Sequence, residues 1–306
     1  MTGSRLHNAL SELDGATEWL NSEPLTETRL RGSVVAVQFC TYSCINWIRT
    51  LPYVRAWASA YREHGLVVVG AHTPEFTFEH ELEGVRRAMQ AMGAAHPIVL
   101  DNEYEIWRSF ANRYWPALYL VDGEGRIRYR HFGEGGYRET EAAIRQLSGA
   151  DGEAVRVDAG GIEAAADWDN LGSPETYVGY ARGERRTAGG AERLALNAWA
   201  LAGQWTVEEE AAVLDMAPGS IAFRFLARDL NLVLTPPTTG ADVPFTVLLD
   251  GEPPGDAHGI DVDQLGRGAV SEPRLYQFVR QPAVSERTFE ISFLEPGVRA
   301  YVFTFG

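Results

Sequence analysis

Cysteine is nearly absent from this chain: Cys40 and Cys44 are the only two in 306 residues. That excludes a disulfide-built scaffold. Positive charge is also short. Lysine and arginine number 27 against 42 aspartates and glutamates, a net charge of −15. Such a balance argues against a general nucleic-acid or anionic-membrane partner and reads chiefly as solubility. No apolar run approaches the length of a bilayer span, and the N-terminus lacks a basic region followed by an apolar core. No membrane span is expected, and cytoplasmic is the default compartment. The seven histidines are scattered, and there is no CxxC, HExxH, acidic calcium loop or Walker-type loop. Neither a metal nor a bound cofactor is expected.

What is present suits two domains rather than one core. An apolar content of 45% is ordinary for a globular chain. The centre of organisation is residues 34–53. Val34 to Cys40 is an apolar, β-branched run, as in a buried parallel strand. After a turn through Thr41, Tyr42 and Ser43, apolar residues recur at helical spacing: Ile45, Ile48, Leu51 and Trp57. Cys44 therefore stands where a strand feeds a helix, and the free amides and dipole end there favour a thiolate. Gly65 closes the helix. Leu66 to Gly70 is a second buried strand, 79–92 reads as a helix, 97–100 as a strand and 103–110 as a helix. Ala117 to Val121 and Arg126 to His131 form a hairpin, and 139–147 is the closing helix. Strands alternating with helices imply parallel βαβ units.

These words resemble the thioredoxin superfamily, in particular its TlpA-like and DipZ-like branch. The carriers are Phe39-Cys-Thr-Tyr-Ser-Cys-Ile-Asn-Trp-Ile-Arg-Thr-Leu-Pro-Tyr53, Gly70-Ala-His-Thr-Pro-Glu75, Asn112-Arg-Tyr-Trp-Pro-Ala117 and Phe132-Gly-Glu-Gly135. The branch's usual stretch reads Phe-Trp-Thr-Tyr-Ser-Cys-Ile-Asn-Cys. Here Cys40 holds the first Trp position, Trp47 holds the second cysteine position, and Gln38 replaces a buried acid. The resemblance implies an α/β thioredoxin-like domain over residues 1–150, with Trp19 and Leu20 anchoring its lead-in. It makes Cys44 the nucleophile and Pro116 a cis-proline facing it. Trp47, Trp115 and Pro116 are the expected substrate groove, and Gln38, His72 and Arg113 are candidates for tuning the thiol.

Residues 151–166 are small and polar and are placed as a linker. From 167 to 306 short β-type runs follow one another, such as Ile221 to Leu226, Asn231 to Leu234, Phe245 to Leu249, Arg274 to Val279, Thr288 to Phe293 and Ala300 to Phe305. Several alternate apolar and polar residues, so an all-β sandwich, jelly-roll-like, is expected. This half resembles the carbohydrate-binding-module-like domain of DipZ-like proteins. A glycan partner is one expectation, with Trp199, Trp205 and Tyr180 as a sugar platform.

Three chemistries stay open. Cys44 acts alone on a disulfide or peroxide, with an external thiol resolving the adduct. Alternatively, Cys40 is the resolving thiol, which requires the two Cα atoms within ~7 Å. In the third, the site is redox-inactive and the fold is a binding scaffold. Thr41-Tyr-Ser-Cys44 also fits the T-x-x-C half of the peroxiredoxin motif, with Val37 at its proline position. The partners that follow are a thiol or disulfide substrate protein or a small thiol.

Overall fold

The computed structural model describes residues 8–306 except 15, 17, 189 and 239. It divides into two units, Met1–Ala164 and Ala165–Gly306.

The first unit is built on strands β1 Trp19–Leu20, β2 Val34–Cys40, β3 Leu66–His72, β4 Ile98–Leu100, β5 Ala117–Val121 and β6 Ile127–Phe132. Their order is β1-β4-β3-β2-β5-β6. β2, β3 and β4 run parallel, whereas β5 is antiparallel to β2 and β6 to β5. Side chains alternate along a strand, and every residue of β2 is buried, so β2 feeds two cores. Val35, Val37 and Phe39 join Val69, Ala71 and Tyr119 on one face. Val34 and Ala36 join Val54, Trp57, Leu120 and Ile144 on the other. Gln38 and Cys40 continue this second face by the same alternation.

Among the described residues, five α-helices accompany this sheet: α1 Glu27–Leu30, α2 Ile45–Ala60, α3 Leu82–Ala91, α4 Glu105–Ser109 and α5 Tyr137–Ser148. The pattern over 79–92 predicts one helix, but the structure has a 3-10 turn at Thr77–His80 and starts α3 only at Leu82. The reason is local. The Glu79 carboxylate turns inward to accept from the backbone amides of Glu75 and Phe76, and Glu81 is extended. The segment 151–164 packs on the first unit. Val155 joins the second core, and Arg55 pairs with Glu163 at 2.8 Å.

The second unit is all-β: β7 Thr176–Tyr177, β8 Trp199–Val207, β9 Ala212–Thr235, β10 Val243–Leu249, β11 Arg267–Val270, β12 Arg274–Phe293 and β13 Arg299–Phe305. The order is β11-β10-β12-β9-β13-β7, with β8 paired to β9. The runs that look separate in sequence merge into two long strands, β9 and β12, of 24 and 20 residues. They pair with each other along their length, with register shifts between Gln277 and Val279 and between Arg280 and Ser285. Near the interruption, the buried Asp229 carboxylate receives Arg228 at 2.6 Å and Arg280 at 3.4 Å. Arg299 of β13 pairs with both Val213 and Thr235, near opposite ends of β9. β9 therefore curls back on itself and rolls one sheet into a sandwich. Alternate residues Val243, Phe245, Val247 and Leu249 of β10 point inward, against Phe223, Phe278, Phe289 and Phe303.

Trp199 belongs to this core. It is 1% exposed, and its Nε1 donates to the Glu184 carbonyl at 2.7 Å. It is not a sugar platform. Trp199→Ala should lower the stability of the second unit by about 3–5 kcal/mol, the cost of deleting a buried large aromatic. Thermal and denaturant unfolding check this, and a change under ~1 kcal/mol would contradict the core assignment.

Candidate active site

Cys44 is the N-cap of α2, in an extended conformation with φ −81° and ψ 112°. Its amide donates to the Thr41 carbonyl at 3.2 Å, and its own carbonyl accepts from Ile48 at 3.0 Å. The following first-turn amides have no acceptor within the helix, so this partly exposed residue lies at the positive end of a sixteen-residue helix. The peptide Trp115–Pro116 is cis, and Cys44 Sγ lies 4.0 Å from the Trp115 carbonyl oxygen. The thiol thus faces the backbone just before the proline.

The loop after β3 holds both sides of this arrangement. Glu79, wholly buried, accepts from the Ser43 hydroxyl at 2.7 Å and its amide at 3.2 Å. It also accepts from the amides of Glu75 at 2.7 Å and Phe76 at 3.0 Å. Burial pushes its carboxyl above the ordinary range, and the bonds donated to it oppose that rise. Three residues before this turn, the Thr73 carbonyl accepts from Trp115 Nε1 at 3.0 Å. The Thr73 hydroxyl donates to Asp101 at 3.1 Å. Asp101 in turn takes the amides of Ile106 and Trp107, at 2.9 and 2.8 Å, at the start of α4. Trp107 then packs against Trp115, with ring centroids 4.3 Å apart and planes tilted by 38°.

On the far side, the Phe132-Gly-Glu-Gly135 motif is pinned to α2. Gly133 donates to the Pro116 carbonyl at 2.8 Å. Glu134 meets Arg49 at 3.4 Å, both side chains being buried. Tyr137 stacks on Tyr53 at 3.5 Å and donates to the Arg49 carbonyl at 3.3 Å.

The structure brings Cys44, Trp115 and Pro116 together and sets the other expected residues apart. Trp47 is 0% exposed and so does not line a groove. Its Nε1 donates to Gln38 Oε1 at 3.1 Å, Gln38 Nε2 donates to Thr50 Oγ1 at 2.8 Å, and Thr50 Oγ1 donates to the Trp47 carbonyl at 2.7 Å. Gln38 therefore braces Trp47 and makes no hydrogen bond to a thiol. Cys40 is a free, wholly buried thiol, pushed far up by burial and then by the nearby Glu79 carboxylate. His72, its register partner on β3, is 0% exposed and stacks on Tyr42 at 5.7 Å. Neither of its ring nitrogens has a hydrogen-bond partner among the described residues. It contacts neither thiol by a hydrogen bond, and burial lowers its pKa to about 3. Arg113 is exposed and makes no hydrogen bond or ion pair among the described residues. Sequence reasoning missed Glu79, which reads as one more charged residue in a helical window. Among the described residues no group of side chains is arranged to hold a metal ion, and no helix is long and apolar enough to cross a membrane.

A cysteine capping the helix after the central strand, opposite a cis-proline on this mixed sheet, defines the first unit as a thioredoxin-like domain. Residues 173–306 match the family described as thioredoxin like C-terminal domain. Protein DipZ of Mycobacterium bovis is 33% identical over 311 residues, covering 96% of this chain and 42% of its own length. The chain thus spans less than half of that relative. The thiol-disulfide oxidoreductase YkuV of Bacillus subtilis is 24% identical over 143 residues, covering 47% of this chain and 96% of its own. A solved thioredoxin-like protein in the oxidized form overlaps 48% of this chain and 98% of its own, at 25% identity and a TM-score of 0.43. The chain is thus thioredoxin-like in its first unit and similar in sequence to DipZ along nearly its whole length, and most of its second unit matches the thioredoxin like C-terminal domain family.

Two outcomes follow from the buried groups. Glu79→Gln places an amide NH2 against a set of donors and should cost about 1–3 kcal/mol in denaturant unfolding. His72 is held neutral, with a folded pKa of about 3 against 6.5 in the unfolded chain. A depressed basic group binds fewer protons when folded. Its contribution is therefore whole above pH 6.5 and is lost as pH falls toward 3. His72→Leu, which removes two unpartnered nitrogens, should be near neutral at pH 7 and should flatten the fall in stability below pH 6.5. An unchanged acid slope would refute the assignment.

Proposed function

We propose that this chain performs thiol redox chemistry through Cys44 alone, acting on a disulfide. The observation that carries the reading is a partly exposed helix-capping cysteine whose sulfur faces the Trp115 carbonyl, while Cys40 is wholly buried and position 47 is filled by a buried tryptophan. The Cys44 thiolate attacks one sulfur of a substrate R–S–S–R′. The Cys44–S–S–R bond forms as the substrate S–S bond breaks, and R′–S⁻ leaves with the electron pair. With no second thiol at position 47, a small external thiolate R″–S⁻ attacks the adduct, releasing Cys44–S⁻ and R–S–S–R″. Electrons balance, the external thiol being the reductant. The helix N-terminus supports the attacking thiolate. The second unit serves as an interaction module for a glycan or protein partner; Trp199 is buried, whereas Tyr180 and Trp168 are exposed.

Intact-mass measurement of single-turnover adduct formation, together with iodoacetamide alkylation, tests this. Cys44→Ser should reduce both to background, while Cys40→Ser should keep both. Insulin reduction should be slow because release depends on an outside thiol. Cys44 inert to iodoacetamide across about pH 6 to 9, the range around the ordinary thiol pKa, would overturn the redox reading in favour of a binding scaffold.

A further inference from the structure

Beside the thiol lies a surface that the thiol chemistry itself does not use. Tyr114 and Phe132 are 53% and 41% exposed, and their ring centroids are 5.1 Å apart. Both flank the cis-proline by backbone position. Tyr114 precedes Trp115, and Phe132 stands opposite Ala117 in the β5–β6 ladder. β6 is the outer strand of its sheet, so no further strand of that sheet covers the pair.

Two arginines border these rings. Arg113 adjoins Tyr114, and the Arg130 guanidinium lies 5.9 Å from the Phe132 ring centre. Arg126 and Arg128, nearby in sequence, both bond Asp122, at 3.1 and 3.2 Å. Arg113 and Arg130 have no carboxylate partner among the described residues. Their charges are therefore not offset by a neighbouring carboxylate, beside two exposed aromatic rings.

We propose that this surface docks the stretch of the redox partner flanking its disulfide, and that this stretch carries acidic and aromatic side chains. The proposal rests on Cys44 as the reacting thiol. An extended segment whose cysteine reaches Cys44 along the cis-proline passes Tyr114 and Phe132 within a few residues. Its aromatic side chain stacks on the ring pair, and its carboxylates meet Arg113 and Arg130. The net negative charge of the whole chain favours basic partners at long range. At about 0.1 M salt the Debye length is about 10 Å, so contacting arginines outweigh remote acids.

The test uses the full chain and two peptides of equal length, each with one cysteine joined by a disulfide to glutathione. One carries aspartate and phenylalanine around the cysteine, the other lysine and phenylalanine. Cys44–S⁻ attacks the peptide sulfur, the peptide–glutathione bond breaks, glutathione thiolate leaves, and the Cys44–S–S–peptide adduct is counted by mass. At about 0.1 M salt the acidic peptide should react ~10-fold faster than the basic one, and the gap should narrow as salt rises. Arg113→Glu with Arg130→Glu should invert the preference. Equal rates, or a faster basic peptide, in wild-type protein that still alkylates with iodoacetamide would overturn the docking surface. Failure of the wild-type protein to alkylate would overturn the Cys44 reading itself.

Discussion

One buried carboxylate holds the reactive end of the first unit in place. Glu79 gathers the Ser43 hydroxyl and three backbone amides from two different loops. Hydrogen bonds to a charged group contribute about 1.5–3 kcal/mol each, and an unmet donor in this buried place would cost a comparable amount. Removing the carboxylate would orphan the amide and hydroxyl one residue before the thiol. The same loop fixes the cis-proline side, because the Thr73 carbonyl accepts from Trp115. The segment from 73 to 79 therefore sets the distance between the thiol and the carbonyl facing it, though it supplies neither.

Much of this was legible in the sequence, and the reasons differ by element. β2 is readable because a strand buried on both faces must be apolar throughout, and only Gln38 interrupts it. The placement of Cys44 at the start of a helix is readable from the strand-to-helix change of pattern, and that of Pro116 opposite it from the resemblance to the thioredoxin superfamily. Glu79 was not. In a window with helical spacing an acid reads as solvent-facing, and only the tertiary contact with Ser43 reveals its inward turn. Trp47 was misread for the opposite reason. The resemblance put it in the groove, at the position of the second cysteine, whereas its indole donates to Gln38 and it lies wholly inside. In the second unit, Arg228-Asp229 and Arg280 look like breaks between strands. They pair with one another across β9 and β12, so the charges that interrupt the pattern in one dimension bridge neighbouring strands in three.

The departures from the family's stretch at positions 38 and 47 are one change, not two. The resembled stretch carries a second sulfur at 47 and often a buried acid at 38. Here the glutamine carbonyl accepts from the tryptophan indole and the glutamine amide donates to Thr50, whose hydroxyl closes back on the Trp47 carbonyl. The ring of bonds fills the second thiol's place with a satisfied, neutral, close-packed cluster. Such a network is stable only when complete, since a missing member leaves a buried polar group unpaired. A cysteine restored at 47 alone would strand the Gln38 carbonyl and open a void where the indole was. Position 47 is thus part of the core, while the cysteine three residues before it keeps its place at the N-terminal end of α2.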